Sequence, residues 1–145
     1  MKEFYYFISI HFSNKQRSVA RKAIQAAGIT TDPLFVGHLL QYLEDKDLRK
    51  TAIKSLTQYG PEITKTLLQL ESEDAFSLDI KRNLPKVIAT FNSQNAVRIL
   101  YKFLASNNLI VRKNASKSLL KLSTQNPSLL IDKRRITRYI LTESN

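Results

Sequence analysis

The sequence predicts an all-α protein built as an α-solenoid, a stack of antiparallel helix pairs, and three observations carry that expectation. Chain breakers are scarce: three glycines and four prolines punctuate 145 residues rich in Leu, Lys and Ile, a composition that favours helix over short strands. Leu48-Arg49-Lys50, Ile80-Lys81-Arg82 and Val111-Arg112-Lys113 recur at separations of 32 and 31 residues. Each anchor is followed by apolar residues four and eight positions on, Ala52 and Leu56, Leu84 and Ile88, Ala115 and Leu119. Those offsets make one helical face. A face so wide cannot be buried within one helix pair, so neighbouring pairs must stack, and three or more are needed for stability.

The elements follow in order. Phe4 to Phe12, FYYFISIHF, is interrupted by Ser9 and His11 and falls far short of the roughly 18–20 residues that span a bilayer. No small-residue cleavage site follows it, so it reads as a first, buried helix rather than a signal peptide. A second helix over 15–28 carries a weaker copy of the repeat in Val19, Ala23 and Ala27, 29 residues before Leu48. Asp32-Pro33 supplies a capping carboxylate and a proline at the first helical position, opening a helix from Leu34 to Leu43. The next second helix spans 47–59. Gly60-Pro61 then closes one helix with a residue tolerant of left-handed geometry and opens another, to about Leu70.

The helix over 75–91 contains Pro85, which in a helix interior costs roughly 3 kcal/mol. The apolar register runs through it from Ile80 to Ile88, which predicts a kink rather than a break. Asn92 or Ser93 caps a helix reaching Leu104, another covers 108–123, and Asn126-Pro127 introduces a last segment through Tyr139 to Leu141. The expected organisation is a single domain over 1–145, with repeats at 3–28, 32–60, 61–91 and 93–123 and a partial one at 127–143. Ala52 and Ala115 suit helices approaching within about 8–10 Å. Gly28 and Gly60 read as helix ends, and Gly37 as a point of close packing.

Composition excludes several chemistries. Without cysteine there is no disulfide, thiolate metal site or cysteine nucleophile. His11 and His38 form no HExxH pair, and Gly28, Gly37 and Gly60 build no phosphate loop, so neither a metal nor a nucleotide cofactor is expected. Glu73 and Asp74 read as a solvated turn. Tyr42, Tyr59, Phe91, Tyr101 and Phe103 fall at core spacings, which leaves no aromatic platform for base stacking.

Charge is the remaining signal, with 23 Lys and Arg against 12 acids and a net charge of +11. Basic residues fall in columns: Arg49, Lys81 and Arg112 one past the anchor, Lys50, Arg82 and Lys113 two past, and Lys54, Lys86 and Lys117 six past. The last two columns share a face, predicting a cationic stripe that Lys121 extends. The plainer reading of that stripe is a solvated surface that maintains solubility. Its functional reading is an anion-binding surface for nucleic acid or an anionic membrane face. Lys133, Arg134, Arg135 and Arg138 form a second cluster, read as solvated.

The anchor, its following Arg, the small residue and the Leu together resemble HEAT repeats of the bacterial phycobilisome-lyase-like class. Two stretches are similar to the HEAT domain fused to bacterial nucleotide-translocase-like membrane proteins. One is IKRNLPKVIATFNSQNAVRILYKFLASNNLIVRKNASKSLLKL, with Pro85 where that family also has proline; the other is NPSLLIDKRRITRYILTE, from Asn126 to Glu143. The resemblance extends from about Arg17 onward. It implies a soluble, cytoplasm-facing module of a larger membrane-associated protein, with no catalysis of its own. It also implies a ladder in which turn aspartates meet the Arg after the anchor. Asp45, Asp47, Asp74 and Asp79 fit that pattern, whereas Asn107 and Asn108 would leave Arg112 without a partner in its own turn. The expected function is a non-catalytic protein-interaction or regulatory scaffold whose partner is a protein or another domain of the same polypeptide. The alternative is a nucleic-acid-binding repeat using Lys50, Lys54, Arg82, Lys86, Lys113 and Lys117.

Overall fold

The computed structural model describes the backbone of residues 2–12 and 16–144 and the side chains of residues 7–12 and 16–138. The side chains of Phe4, Tyr139 and Leu141, and the expected helix start at position 15, lie outside the described residues. Among those described, every regular element is helical and there is no strand, in accord with the scarcity of breakers. The chain divides into two compact units, Met1–Tyr59 and Gly60–Asn145.

The first unit holds α1 (Lys2–His11), α2 (Arg17–Thr30), α3 (Val36–Gln41) and α4 (Arg49–Gln58). The segment expected as one helix from Leu34 to Leu43 is a short α3 flanked by 3-10 turns at Pro33–Phe35 and Tyr42–Glu44. Asp32 starts it as its composition demands, its carboxylate accepting the Leu34 amide at 2.8 Å with proline next in line. α2 packs on α1 and α4, and α3 on α4. Ala23, Ala27, Ala52 and Leu56, the residues four and eight past Val19 and Leu48, are fully buried.

Two glycines depart from the roles expected of them. Gly28 does not end α2; it is buried inside the helix, where a Cβ would stand 2.8 Å from the Ser55 Cα and 2.2 Å from Gln58 Oε1. It is the residue that lets α4 approach. Gly37 meets nothing within 4 Å and permits no close packing. α2 instead terminates at Thr31, whose φ of 52° is left-handed and whose amide donates to the Ala27 carbonyl. The tight seam is fixed by Ser55, whose hydroxyl donates to the Ile24 carbonyl at 2.9 Å.

The second unit holds α5 (Ile63–Ser72), α6 (Leu78–Ile88), α7 (Gln94–Leu104), α8 (Leu109–Gln125) and α9 (Lys133–Ser144). Gly60 enters it at φ +77°, the left-handed conformation its position calls for. Side-chain oxygens of Ser77, Ser93 and Asn108 cap α6, α7 and α8 by accepting from Ile80, Ala96 and Ile110 amides at 3.3, 3.2 and 3.0 Å. α5 packs on α7, α6 on α7 and α8, and α8 on α7 and α9. Leu84, Ile88, Ala115 and Leu119 are fully buried, as their offsets from Ile80 and Val111 require.

α6 continues through Pro85. The ring removes the amide that would have bonded the Lys81 carbonyl, and α8 supplies side chains alongside. Asn114 Nδ2 donates to the Arg82 carbonyl at 2.8 Å, and the Ser118 hydroxyl to the Pro85 carbonyl at 3.0 Å.

The last helix starts later than Asn126-Pro127 predicts, at Lys133. Asp132 caps it, accepting from Arg134 and Arg135 amides at 3.0 and 3.4 Å. The intervening strap is tied to α7. Gln94 exchanges two bonds with Leu130, Nε2 to carbonyl at 3.0 Å and amide to Oε1 at 3.1 Å, and the Tyr101 hydroxyl accepts from the Asp132 amide at 2.8 Å.

Candidate functional site

The six cations singled out in the sequence fall on three helices. Lys50 and Lys54 project from α4 in the first unit, both exposed. Arg82 and Lys86 lie on α6 and Lys113 and Lys117 on α8, two helices that pack together in the second unit. Asn114 and Ser118 sit one residue past Lys113 and Lys117, and their bonds to the Arg82 and Pro85 carbonyls bring those lysines alongside Arg82 and Lys86. Lys86, Lys113, Lys117 and the added Lys121 are exposed.

The four α6 and α8 cations are not equivalent. Arg82 is half-buried; its NH1 pairs with Asp79 at 3.2 Å, while its Nε is buried with no hydrogen-bond partner. Among the described residues no carboxylate comes within ion-pair distance of Lys86, Lys113, Lys117 or Lys121. Sequence explains why: from Ile80 to Arg138 thirteen Lys and Arg residues accompany one acid, Asp132, which is occupied in capping α9. Uncompensated charge of one sign on adjacent helices is self-repulsive and favours an anionic neighbour.

The column one past the anchor behaves differently from the ladder expected of it. Arg49 Nε donates to the Leu43 carbonyl and Arg112 NH1 to the Ser106 carbonyl, both at 2.7 Å and both six residues upstream. Each guanidinium thus satisfies a backbone carbonyl in the connection between paired helices, Leu43 in the 3-10 turn after α3 and Ser106 in the loop after α7. Arg112 therefore has a partner in its own turn although that turn lacks aspartate. Lys81 of the same column approaches an aspartate, Asp74, at 3.9 Å. Lys102 pairs with Glu71 at 3.2 Å, which joins α7 to α5 and was not apparent from the repeat.

Asp45 has another partner as well. Its carboxylate accepts from the amides of Asp47 and Leu48 at 2.9 and 3.1 Å and pairs with Arg17 at the start of α2. The Arg17 bond, aided by those amides, holds the Asp45 carboxyl below the ordinary aspartate range, and the same pair raises Arg17. Burial pushes the nearby Tyr42 phenol up, and its hydroxyl donates to the Phe12 carbonyl. A cleft of about 520 Å³ opens here, lined by Phe12, His38, Gln41, Tyr42, Glu44 and Asp45. The Phe12 and His38 rings stack at 4.7 Å, and Tyr42 and Asp45 are bonded within the protein, so the cleft reads as structural.

Phe91 and Phe103 are core, as expected, while Tyr42, Tyr59 and Tyr101 are half-buried with their hydroxyls bonded to backbone groups. In the second basic cluster Arg135 stacks over the Tyr101 ring at 4.4 Å from its centroid. Among the described residues no three His, Asp or Glu side chains gather in a metal-holding group, and no helix is long and apolar enough to cross a membrane. No protein-family model matches the chain, and no curated protein is significantly similar to it.

Proposed function

We propose that the chain is a HEAT-type α-solenoid acting as a non-catalytic interaction or regulatory scaffold, and that it serves as a module of a membrane-associated protein. The observation that carries this reading is the equivalence of the second helices. Residues four and eight past each anchor are buried in α2, α4, α6 and α8 alike, and the serine seven past the anchor bonds back to the preceding second helix in both units, Ser55 to Ile24 and Ser118 to Pro85. Repeats so related present one face of every second helix to solvent, and such rows of side chains are what repeat scaffolds use for binding. A photo-crosslinking amino acid at position 50 or 117 in the native host should give discrete adducts, and one at Lys65 on α5 should give none. Adducts from position 65 alone, or none from any position, would refute the scaffold reading.

A second reading, a polyanion-binding face, is favoured by the thirteen-to-one excess of cations between Ile80 and Arg138. For nucleic acid the test is fluorescence anisotropy with random duplex DNA. Binding that weakens steeply as salt rises supports it; no shift at low salt sinks it.

A further inference from the structure

The solvent face of α8 is not only cationic. Its 17 residues contain no acid, and among the exposed ones are Leu109, Ile110 and Leu120, at 51, 49 and 39 % exposure. Successive helical residues turn by about 100°, which places Leu109 and Leu120 together, then Lys113, Lys117, Ile110 and Lys121 across an arc of about 120°. Aliphatic side chains therefore border and interrupt the lysine row. Past Lys121 on the same count, Asn114 and Ser118 bond to α6, and opposite the arc Val111, Ala115, Leu119 and Leu122 are fully buried, so this arc is the side left to solvent, with the exposed Lys86 beside it.

We propose that this face of α8, with Lys86 of α6, docks on an anionic lipid bilayer. The inference rests on the scaffold reading above and specifies which partner its second-helix face receives. Lysines with no carboxylate in reach supply attraction to acidic headgroups. The leucines and isoleucine enter the boundary beneath, while lysine stems lie along apolar surface with their ammonium groups in the headgroup layer. A duplex offers phosphates to the lysines but nothing to three half-exposed aliphatic side chains, and the face carries no exposed aromatic for stacking on single strands. No helix among the described residues is long and apolar enough to span a bilayer, and the proposed contact is one in which α8 lies on the bilayer surface.

The test is co-sedimentation of the full chain with phosphatidylcholine vesicles containing or lacking about one-third phosphatidylglycerol, at low and high salt. Binding to the anionic vesicles alone, weakened by salt, is expected. Lys113→Glu/Lys117→Glu should weaken it at least tenfold, and Leu109→Ser/Leu120→Ser several-fold, with helicity unchanged by circular dichroism. The chain has no tryptophan, so Leu120→Trp provides a single reporter whose emission should shift to the blue on vesicles. Absence of vesicle binding, indifference to the leucine substitutions, or an unshifted indole emission from the Leu120→Trp variant would overturn the proposal, as would tighter binding to a 20-base-pair duplex. Position-117 adducts that persist alongside failed vesicle binding would leave the scaffold standing and remove only the bilayer.

Discussion

At the scale of single residues, glycine shows where sequence stops being informative. Gly28 stands near the end of α2 and Gly37 near the start of α3, and nothing local marks which one lies under a neighbouring helix and which in open space. The difference comes from α4, whose Ser55 backbone lies against Gly28. Gly28→Ala should therefore destabilise the protein by about 1–3 kcal/mol despite the better helix former, and Gly37→Ala should stabilise it by about 0.5–1 kcal/mol, both read from urea midpoints. Asp45 gives a pH dependence of definite sign. Its folded value lies below its unfolded one, chiefly through Arg17, so its contribution is present above the ordinary aspartate range and is lost as pH falls through the depressed value. The stability gap between wild type and Asp45→Asn should be widest near neutrality and close below about pH 4 in acid-unfolding curves.

At the scale of elements, the second helices were readable because four-residue offsets and a spacing near thirty-one are properties of the chain alone. Caps were readable for the same reason: Asp32-Pro33 and Ser93 act within three residues of themselves. The start of α9 was not. Asn126-Pro127 has the local form of a helix opening, yet Gln94 and Tyr101, more than thirty residues away, hold the following backbone off the helical path until Asp132. The guanidinium of Arg112 was equally hidden, since a carbonyl acceptor carries no mark in the sequence. Serine at the helix seams makes a prediction that sequence alone would not. Ser55→Ala and Ser118→Ala each remove a buried hydroxyl bonded to the neighbouring helix and should each lower unfolding free energy by about 1 kcal/mol, measurable in chemical denaturation.

At the scale of the whole molecule, the two compact units differ in size and in charge. The second has 86 residues with its own buried side chains on five helices, enough to support a cooperative core, whereas the first, at 59 residues, is near the lower limit for a domain without staples. A fragment covering 60–145 should be helical by circular dichroism and unfold in one transition, and a fragment covering 1–59 should be markedly less stable. The excess of positive charge was legible from composition, and its concentration after Ile80 from simple counting. Its placement beside exposed leucines was not, because the repeat pattern ranks positions by burial and is silent on what the solvent side contains.

The two-way bond between Gln94 and Leu130 carries a consequence for protease resistance. Leu130 is 78 % exposed in a stretch without regular structure, which ordinarily invites chymotrypsin; but a protease must draw the backbone into an extended form, and here the side-chain amide of Gln94 occupies both of that residue's main-chain groups. Gln94→Leu should release the strap and make the peptide bond after Leu130 the first to be nicked, visible as a small terminal peptide in a digestion time course, while the intact chain resists cutting there.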